Sequence, residues 1–310
     1  MTSGGLRLIA LTGATGFIGQ RLLSELPKRG YRVRVLLRRP SEVPLPAASA
    51  IIGDIARPQN MSAALADVDA VIHSAAIAPG LSGAPQDDYR RLDTEATVGL
   101  ARAAERAGAK RFVFLSSIRA QAGATHDGIL TEDAKPAPTD AYGRAKLAAE
   151  QGVAQLTIDW VALRPALVYG PGVGGNIAAL ARFARLPCPL PLGAMKGRRS
   201  LLAIDNLVDA IDTVLGSAAP HRRPYIVTDT ERLTVAEMIA AMRAGLGRRS
   251  GILPMPAALL KLALKAAGHP EWNDLLAGSL VADASALSRL GWTPRVSTPT
   301  GLAALMKPQA

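Results

Sequence analysis

A glycine-rich turn near the amino terminus constrains the fold of this chain more than any other feature. The run 6–11 is apolar and predicts a buried strand, a segment rich in threonine and glycine follows at 12–19, and helical spacing begins inside it. Glycines permit a tight turn and let backbone amides approach a pyrophosphate at the positive end of the helix. The segment therefore predicts a dinucleotide site rather than an unliganded turn. The residues expected to contact the cofactor are Gly13, Thr15, Gly16, Phe17, Ile18 and Gly19.

Strand-like and helix-like segments alternate through the first half of the chain. The remaining strands are predicted at 32–37, 50–53, 70–73, 111–116 and 157–163, and the helices at 17–28, 61–66, 89–107 and 140–154. Such alternation is typical of an α/β fold, here a Rossmann-type doubly wound parallel sheet. Ligands of such sheets lie at the carboxyl ends of the strands.

The pattern changes after Arg164-Pro165. Glycines cluster over 170–175, prolines cluster over 187–191, and helical spacing predominates afterwards, which predicts a smaller, mainly helical carboxy-terminal substrate lobe. We assign 1–167 to an NAD(P)-binding Rossmann domain and 168–310 to the substrate-binding lobe. A strand near 225–228 is expected to return to the main sheet, which would make the lobe discontinuous.

Composition narrows the function classes. The chain has 310 residues, 49% of them apolar, so it can bury a large core. One cysteine and four histidines cannot supply the usual ligands of a structural zinc site, and we expect no metal. The net charge of +11 suits an anionic ligand, but the arginines are dispersed and only 4% of residues are aromatic, which argues against nucleic acid as a partner.

Membrane insertion is not expected. The most apolar stretch, 252–267, contains prolines and lysines and is too short to span a bilayer. We interpret it as a packed helix, with a helix lying on a membrane surface as the alternative. The first residues lack the long apolar core and cleavage site of a secretory signal, so we expect a cytoplasmic protein without an integral membrane segment.

The end of the second predicted strand indicates which dinucleotide binds. An acidic residue there would accept a hydrogen bond from a ribose 2′-hydroxyl, whereas an arginine can pair with a 2′-phosphate. The strand is followed by Arg38 and Arg39, which favours NADP(H), with NAD(H) as the alternative cofactor and a solvated basic turn as the alternative interpretation. Further along, Asp54 with Ile55 is placed at the adenine. The small residues at 75–76, Ala75 and Ala76, would let the backbone lie against the cofactor.

Tyr142 and Lys146 are four residues apart on a predicted helix and therefore share a face. A free phenol has a pKa of about 10, and a neighbouring ammonium is expected to lower it toward useful acid–base chemistry. Ser117, at the end of the fifth predicted strand, could hold the reacting oxygen. An ordinary helix pair is the alternative interpretation of this spacing.

Five segments taken together resemble the extended short-chain dehydrogenase/reductase family. They are the glycine turn at 12–19, Gly53-Asp54, Leu115-Ser116-Ser117, Tyr142 with Lys146, and 164–172. In that family the tyrosine, the lysine and the second serine form the catalytic set, which implies these roles for Tyr142, Lys146 and Ser117. The resemblance also implies that Lys146 holds the nicotinamide ribose and that Pro165 lies near the nicotinamide.

The second half is most similar to the nucleotide-sugar branch of the family, which includes UDP-sugar 4-epimerases and 4-keto-sugar reductases. This similarity implies that Asn176 contacts a UDP-sugar, that Arg199 binds its pyrophosphate, and that Asp283 belongs to a substrate-lobe motif. The planar guanidinium of Arg199 suits a diphosphate. Helix capping is the alternative role for Asn176.

The chain departs from the family pattern at two places. Ile118 and Arg119 stand where sugar dehydratases carry an Asp-Glu pair, which disfavours dehydration. Many relatives have asparagine where this chain has Asp93, so the sequence assigns that position no role.

The leading hypothesis is NADPH-dependent reduction of a UDP-4-keto-6-deoxy-N-acetylhexosamine for surface polysaccharide synthesis. The alternative is a UDP-hexose or UDP-N-acetylhexosamine 4-epimerase, and Arg38 favours reduction because the sugar epimerases usually retain NAD. A carbonyl or hydroxysteroid reductase and a non-catalytic dinucleotide sensor are further hypotheses. Arg199 argues against the former, and the complete catalytic set argues against the latter. By analogy with the family, a homodimer is the expected assembly.

Overall fold

A parallel sheet of seven strands organises the computed structural model, which describes residues 8–40, 47–57, 61–76, 86–219, 221–256, 258–259 and 278–307. In chain order the strands of this sheet are β1 (Leu8–Thr12), β2 (Arg32–Leu37), β3 (Ala48–Ile51), β4 (Ala70–His73), β5 (Arg111–Leu115), β7 (Asp159–Pro165) and β10 (Arg223–Val227). Across the sheet they follow the order β10-β7-β5-β4-β1-β2-β3, and each neighbouring pair is parallel. The predicted doubly wound Rossmann fold is confirmed.

Helices cover both faces of this sheet. They are α1 (Phe17–Glu25), α2 (Met61–Ala64), α3 (Gln86–Tyr89), α4 (Ala96–Arg106), α5 (Ala141–Ala154) and α7 (Ile204–Gly216). Side chains alternate along β1, so that Ile9 and Leu11 join one core with α1 and α7. Leu8 and Ala10 join a second core with α4 and α5 on the opposite face. Burial on both faces explains why the strands read as almost continuous apolar runs.

A second region packs beside the main sheet. Its strands are β6 (Ile129–Leu130), β8 (Leu167–Tyr169), β9 (Arg198–Ala203), β11 (Arg232–Thr234) and β12 (Val281–Ala282), and its helices are α6 (Gly175–Arg185), α8 (Val235–Gly245), α9 (Ser285–Ser288) and α10 (Thr298–Ala304). A three-stranded sheet, β11-β9-β8, and a two-stranded sheet, β12-β6, form here. A separate apolar core joins Tyr169, Leu180 and Met238. The proposed division at 167/168 stays a prediction, and β10 lies in the main sheet beside β7.

Two segments differ from their sequence-based expectations, and a third lies mostly outside the described residues. The strand predicted at 50–53 lies at 48–51, because Gly53 has a φ of +71° that no strand accommodates. The helix predicted at 89–107 is interrupted by a π-helical turn, Arg90–Glu95. Most of 252–267 lies outside the described residues. Within the described part of the chain, no helix has the length and apolarity needed to cross a membrane.

Candidate active site

A cavity of about 440 Å³ opens at the carboxyl ends of β1 and β4, within the size range of small-molecule sites. Strand order reverses between these two strands, which is where doubly wound sheets bind ligands. Predicted cofactor residues line it, namely Gly13, Thr15, Arg38, Arg39, Asp54, Ile55, Ala75 and Ala76. The structure therefore brings residues from four separate loops, those after β1, β2, β3 and β4, to one cavity.

The glycine turn cannot accept larger residues at two of its positions. Gly13 has a φ of +71°, and a Cβ there would lie 2.6 Å from the Ala75 backbone nitrogen. A Cβ at Gly19 would overlap the Gly13 carbonyl. Helix α1 begins at Phe17, and its N-cap, Gly16, offers no side chain to the first amides of the helix. These amides suit a pyrophosphate, so the turn fits a dinucleotide.

The two arginines after β2 reach the rim of the cavity. Arg38 and Arg39 are exposed, and neither forms an ion pair with a carboxylate of the described residues. An unpaired guanidinium at a strand end is well suited to a phosphate. Asp54 is also exposed, its Oδ1 accepts a hydrogen bond of 3.1 Å from the Ala56 backbone N–H, and within the described residues its Oδ2 is open to a ligand.

Tyr142 and Lys146 lie on the first turns of α5, which packs closely on the 3₁₀ turn that follows β5. Asp140 caps this helix by accepting a hydrogen bond of 2.6 Å from the Gly143 N–H. A Cβ at Gly143 would overlap the Arg119 carbonyl, so glycine is required for this approach. The Lys146 Nζ is fully buried, donates to the Leu115 carbonyl at 3.2 Å, and lies 5.7 Å from the centre of the Tyr142 ring.

The expected acidification of Tyr142 by Lys146 is wrong for this chain. Burial raises the pKa of the Tyr142 phenol above its ordinary value, and the charge of Asp93 raises it further. A hydrogen bond with Ser117 and the charge of Arg119 act in the opposite direction and are outweighed. Burial also lowers the pKa of the Lys146 ammonium, against the attraction of Asp93. The pKa of the Tyr142 phenol is thus raised in this structure, where the sequence predicted that it would be lowered.

Ser117 and Pro165 lie at the carboxyl ends of adjacent strands. Ser117 follows β5, is 9% exposed, and its Oγ accepts a hydrogen bond of 3.1 Å from the Arg119 N–H. It also hydrogen-bonds Tyr142. Pro165 is the last residue of β7. The catalytic candidates are therefore grouped on the same edge of the sheet as the glycine turn.

The three substrate candidates are less closely grouped. Arg199, in β9, donates to the Ala124 carbonyl at 3.2 Å, and burial together with the charge of Arg119 lowers its pKa. Asn176 is exposed and is the second residue of α6, whose N-cap is Gly174, so it does not cap that helix. The Asp283 carboxylate accepts a hydrogen bond of 2.6 Å from the Ser285 N–H at the start of α9. Their contacts with substrate stay predictions.

Sequence reasoning missed a buried polar chain that leads to Lys146. The Thr97 hydroxyl donates to the Asp93 carbonyl at 2.7 Å and therefore accepts from His73 Nε2 at 3.0 Å. The other ring nitrogen of His73 then accepts from the Thr12 hydroxyl at 2.7 Å. Burial lowers the pKa of His73 to about 3, consistent with a neutral ring. The Asp93 side chain ends 3.9 Å from the Lys146 Nζ.

A metal centre has no support in the described residues, because no group of three or more histidine, cysteine, aspartate or glutamate side chains converges there. The histidine of the buried chain instead binds two threonines.

Comparison with known proteins shows which family the chain belongs to. Residues 9–227 match the family described as "NAD dependent epimerase/dehydratase family". The chain is 35% identical over 298 residues to a "UDP-glucose 4-epimerase" of Vibrio cholerae, which covers 92% of this chain and 90% of the relative. It is 30% identical to a "3-beta-hydroxysteroid dehydrogenase" of Mycolicibacterium neoaurum, over 78% of this chain and 70% of the relative.

Among solved structures, MoeE5 in complex with UDP-glucose and NAD has a TM-score of 0.73 and 29% identity, covering 96% of this chain and 97% of MoeE5. The similarity thus extends over the second region as well as the parallel sheet. The family resemblance identified from the motifs is confirmed. The chain is an enzyme of the NAD dependent epimerase/dehydratase family, within the extended short-chain dehydrogenases/reductases.

Proposed function

We propose that this enzyme uses NADP(H) to exchange hydride with C4 of a UDP-linked sugar, and that its reaction is the reduction of a UDP-4-keto-6-deoxy-N-acetylhexosamine. The observation that carries the proposal is the grouping of Ser117, Tyr142 and Lys146 at the same sheet edge as a cavity walled by Arg38 and Arg39. The similarity to a UDP-glucose 4-epimerase and to a structure in complex with UDP-glucose supports the substrate class.

The chain's own residues can carry out the proton half of this reduction. Tyr142, protonated at neutral pH, donates its proton to the C4 oxygen as the carbonyl becomes a hydroxyl. Ser117 donates a hydrogen bond to the same oxygen and holds it beside the phenol. Lys146 stabilises the phenolate that remains, because its ammonium lies under the ring. When bound, the reduced nicotinamide supplies the hydride.

Epimerisation at C4 is the second candidate function. It uses the same three side chains, with Tyr142 first accepting and then returning the proton. The specific observation in its favour is the 35% identity to the Vibrio cholerae protein named a 4-epimerase. The hydroxysteroid dehydrogenase relative keeps a third substrate class under consideration. Arg199 argues against this class, because an apolar substrate carries no diphosphate.

One assay separates these candidates. The pure protein is mixed with NADPH and a UDP-4-keto-6-deoxy-N-acetylhexosamine, and the absorbance of the reduced nicotinamide is followed. Stoichiometric oxidation of NADPH supports reduction of the keto sugar. Inversion of UDP-N-acetylglucosamine without added reductant would instead support epimerisation. Tyr142→Phe should lower kcat by roughly 10²- to 10⁴-fold in either case, and undiminished turnover would refute the catalytic assignment.

Cofactor choice is tested at Arg38. Arg38→Ala should weaken NADPH binding by roughly ten- to a hundredfold, the contribution of a charge-assisted hydrogen bond, and should leave NADH binding unchanged. Arg32→Ala, at the opposite end of β2, is the matched control and should change neither affinity. Fluorescence titration of the bound reduced nicotinamide measures both. Equal losses for the two cofactors would contradict the 2′-phosphate role.

A further inference from the structure

Two long segments of the chain carry no acidic residue. Between Asp159 and Asp205, and again between Glu237 and Glu271, the sequence contains arginines and lysines but no aspartate or glutamate. Positive charge is therefore concentrated wherever these two segments meet in the fold. A surface of this kind attracts an anionic partner.

The structure brings the two segments together in the second region. The Leu190 N–H donates to the Gly251 carbonyl at 2.8 Å, and the Leu253 N–H donates to the Leu190 carbonyl at 2.9 Å. The Arg248 guanidinium donates to the Arg185 carbonyl at 2.7 Å, at the end of α6. The loop that follows α6 and the loop that follows α8 thus form one continuous surface.

A buried arginine fixes both loops. Arg243, on α8, is 3% exposed, and within the described residues its guanidinium donates to main-chain carbonyls alone. These hydrogen bonds compensate a buried charge that would otherwise be costly, and they hold the two loops against each other. The carbonyls, at 2.8 to 3.3 Å, are those of Ala184, Leu186, Cys188, Ser250 and Gly251.

The backbone held in this way exposes basic and apolar side chains together. We call six of them the basic–apolar patch: Leu186, Leu253, Arg182, Arg185, Arg248 and Arg249. The two leucines are 41% and 51% exposed. None of the four arginines forms an ion pair with a carboxylate in the part of the chain that the structure describes. The patch is separate from the lining of the cofactor cavity.

We propose that the basic–apolar patch docks this protein on the surface of a membrane that carries anionic lipids. Each guanidinium near such a surface strengthens binding by about fivefold, through attraction to the headgroup phosphates. Leu186 and Leu253 then enter the boundary between the headgroups and the acyl chains. A nucleic acid would be attracted by the same charge, but it would leave both leucines in contact with water. The leucines therefore favour a lipid surface as the partner.

Cys188 supplies a probe for this contact. It is the single cysteine of the chain, it is exposed, and it lies in the loop between Leu186 and Leu190. A polarity-sensitive fluorophore is attached to its thiol, and the protein is titrated with phosphatidylcholine vesicles that contain about one third phosphatidylglycerol. We expect a blue shift of the emission with these vesicles and none with phosphatidylcholine alone.

Cosedimentation of the unlabelled protein with the same vesicles measures the contribution of charge. Binding should be much weaker at about 1 M salt than at about 0.1 M, because the Debye length falls from about 10 to about 3 Å. Replacing Arg185 and Arg249 together by glutamine should weaken binding by roughly 10- to 30-fold. The matched control replaces Arg102 and Arg106 of α4, both also exposed, and should leave binding unchanged.

A second pair of variants measures the apolar contribution. Leu253→Gln should weaken cosedimentation roughly tenfold, because it removes apolar surface from the contact. Ile129→Gln, in β6, changes a side chain that is also 51% exposed and should leave binding unchanged. Urea unfolding of each variant checks that it is folded.

Two results would overturn the proposal. One is the absence of binding to the phosphatidylglycerol vesicles at low salt, a result that the labelled wild-type protein gives without any variant. The other is binding that either patch variant leaves unchanged. An unaffected arginine variant would remove the charge from the contact, and an unaffected Leu253→Gln would leave an electrostatic site for any polyanion, nucleic acid included.

This inference does not depend on the sugar chemistry. The vesicle assays contain neither a nicotinamide cofactor nor a sugar nucleotide. A chain that binds the vesicles but reduces no UDP-sugar would refute the proposed function and leave the docking surface standing.

Discussion

Helix α5 presents two buried ionic groups one turn apart, and they differ in how fully they are paired. Lys146 donates to a backbone carbonyl at 3.2 Å and has the Asp93 carboxylate at 3.9 Å. Glu150 accepts from Arg164 Nε at 3.0 and 3.2 Å and also accepts from the hydroxyl of Ser116. Glu150 and Arg164 are 4% and 3% exposed.

We interpret the two pairs as having different roles. The Glu150–Arg164 pair fixes α5 to the sheet, whereas the Lys146–Asp93 pair belongs to the proposed reacting site. A carboxylate that receives several short hydrogen bonds has its charge compensated locally, and this one joins α5 to β7. The Asp93 carboxylate and the Lys146 ammonium are 3.9 Å apart, and the charge of this carboxylate also raises the pKa of the Tyr142 phenol. Adjacent serines show the same division, because Ser116 binds Glu150 whereas Ser117 binds Tyr142.

The largest expected effect that tests the comparison between the two buried pairs is on the free energy of unfolding. Glu150→Gln should reduce the free energy of unfolding by about 3–5 kcal/mol, because it leaves the Arg164 guanidinium buried without its counter-charge. Asp93→Asn should cost about 1–3 kcal/mol, because Lys146, unlike an arginine, can lose its proton when its partner is removed. Urea unfolding at pH 7 measures both. Equal losses would remove the distinction between the two pairs.

The adjacent serines provide a sharper test on activity. Ser117→Ala should lower kcat by roughly 10²- to 10³-fold, as expected when a donor to a reacting oxygen is removed, with little change in unfolding free energy. Ser116→Ala should show the reverse pattern, with a loss of about 1–2 kcal/mol in stability and nearly normal kcat. The two variants remove the same hydroxyl group one residue apart. Similar kinetic losses would mean that Ser116 also belongs to the reacting site.

The smallest of the three expected effects is a loss of stability at acidic pH, and it depends on His73. The folded chain holds His73 neutral with a pKa of about 3, whereas an unfolded histidine takes up a proton below about pH 6.5. Its contribution to stability is therefore complete at neutral pH and declines as pH falls from about 6.5 toward 3. At pH 5 the loss should be about 2 kcal/mol.

His73→Gln removes this titration while retaining a donor and an acceptor for the two threonines. Unfolding free energies measured at pH 7 and pH 5 should differ by about 2 kcal/mol less in the variant than in the wild type. Parallel pH dependence in the two proteins would show that His73 is protonated in the folded state. That result would also contradict the donor and acceptor roles assigned to the hydrogen bonds that run from Thr12 to Asp93.

Much of the fold and of the candidate site could be predicted from patterns among residues that are close in the sequence. The glycine turn is visible in sequence because Gly13 has a positive φ of +71° and a Cβ at Gly19 would overlap the nearby Gly13 carbonyl, both of which are local to the turn. Tyr142 and Lys146 are visible because helical spacing alone places them together. These features depend on neighbours in the sequence, so the sequence is sufficient to predict them.

Asp93 and the acidity of Tyr142 could not be predicted in the same way. A run of charged residues at 87–95 is typical of a solvated helix, and only the π-helical turn brings Asp93 inside. Lys146 as the next-turn neighbour suggested a lowered phenol pKa, whereas burial and a carboxylate distant in sequence reverse the sign. A single aspartate between Leu92 and Thr94, with a threonine four positions later, was the available signal.

The position of β10 limits how this protein can be divided. Val227 accepts a hydrogen bond of 2.9 Å from the Ala166 N–H, and β10 forms the outer neighbour of β7. A fragment ending at residue 167 would leave the outer side of β7 as an uncovered edge, and such edges promote aggregation. Dissection of the cofactor-binding half for crystallisation or calorimetry therefore requires 223–227 to be supplied, by a designed linker or as an added peptide.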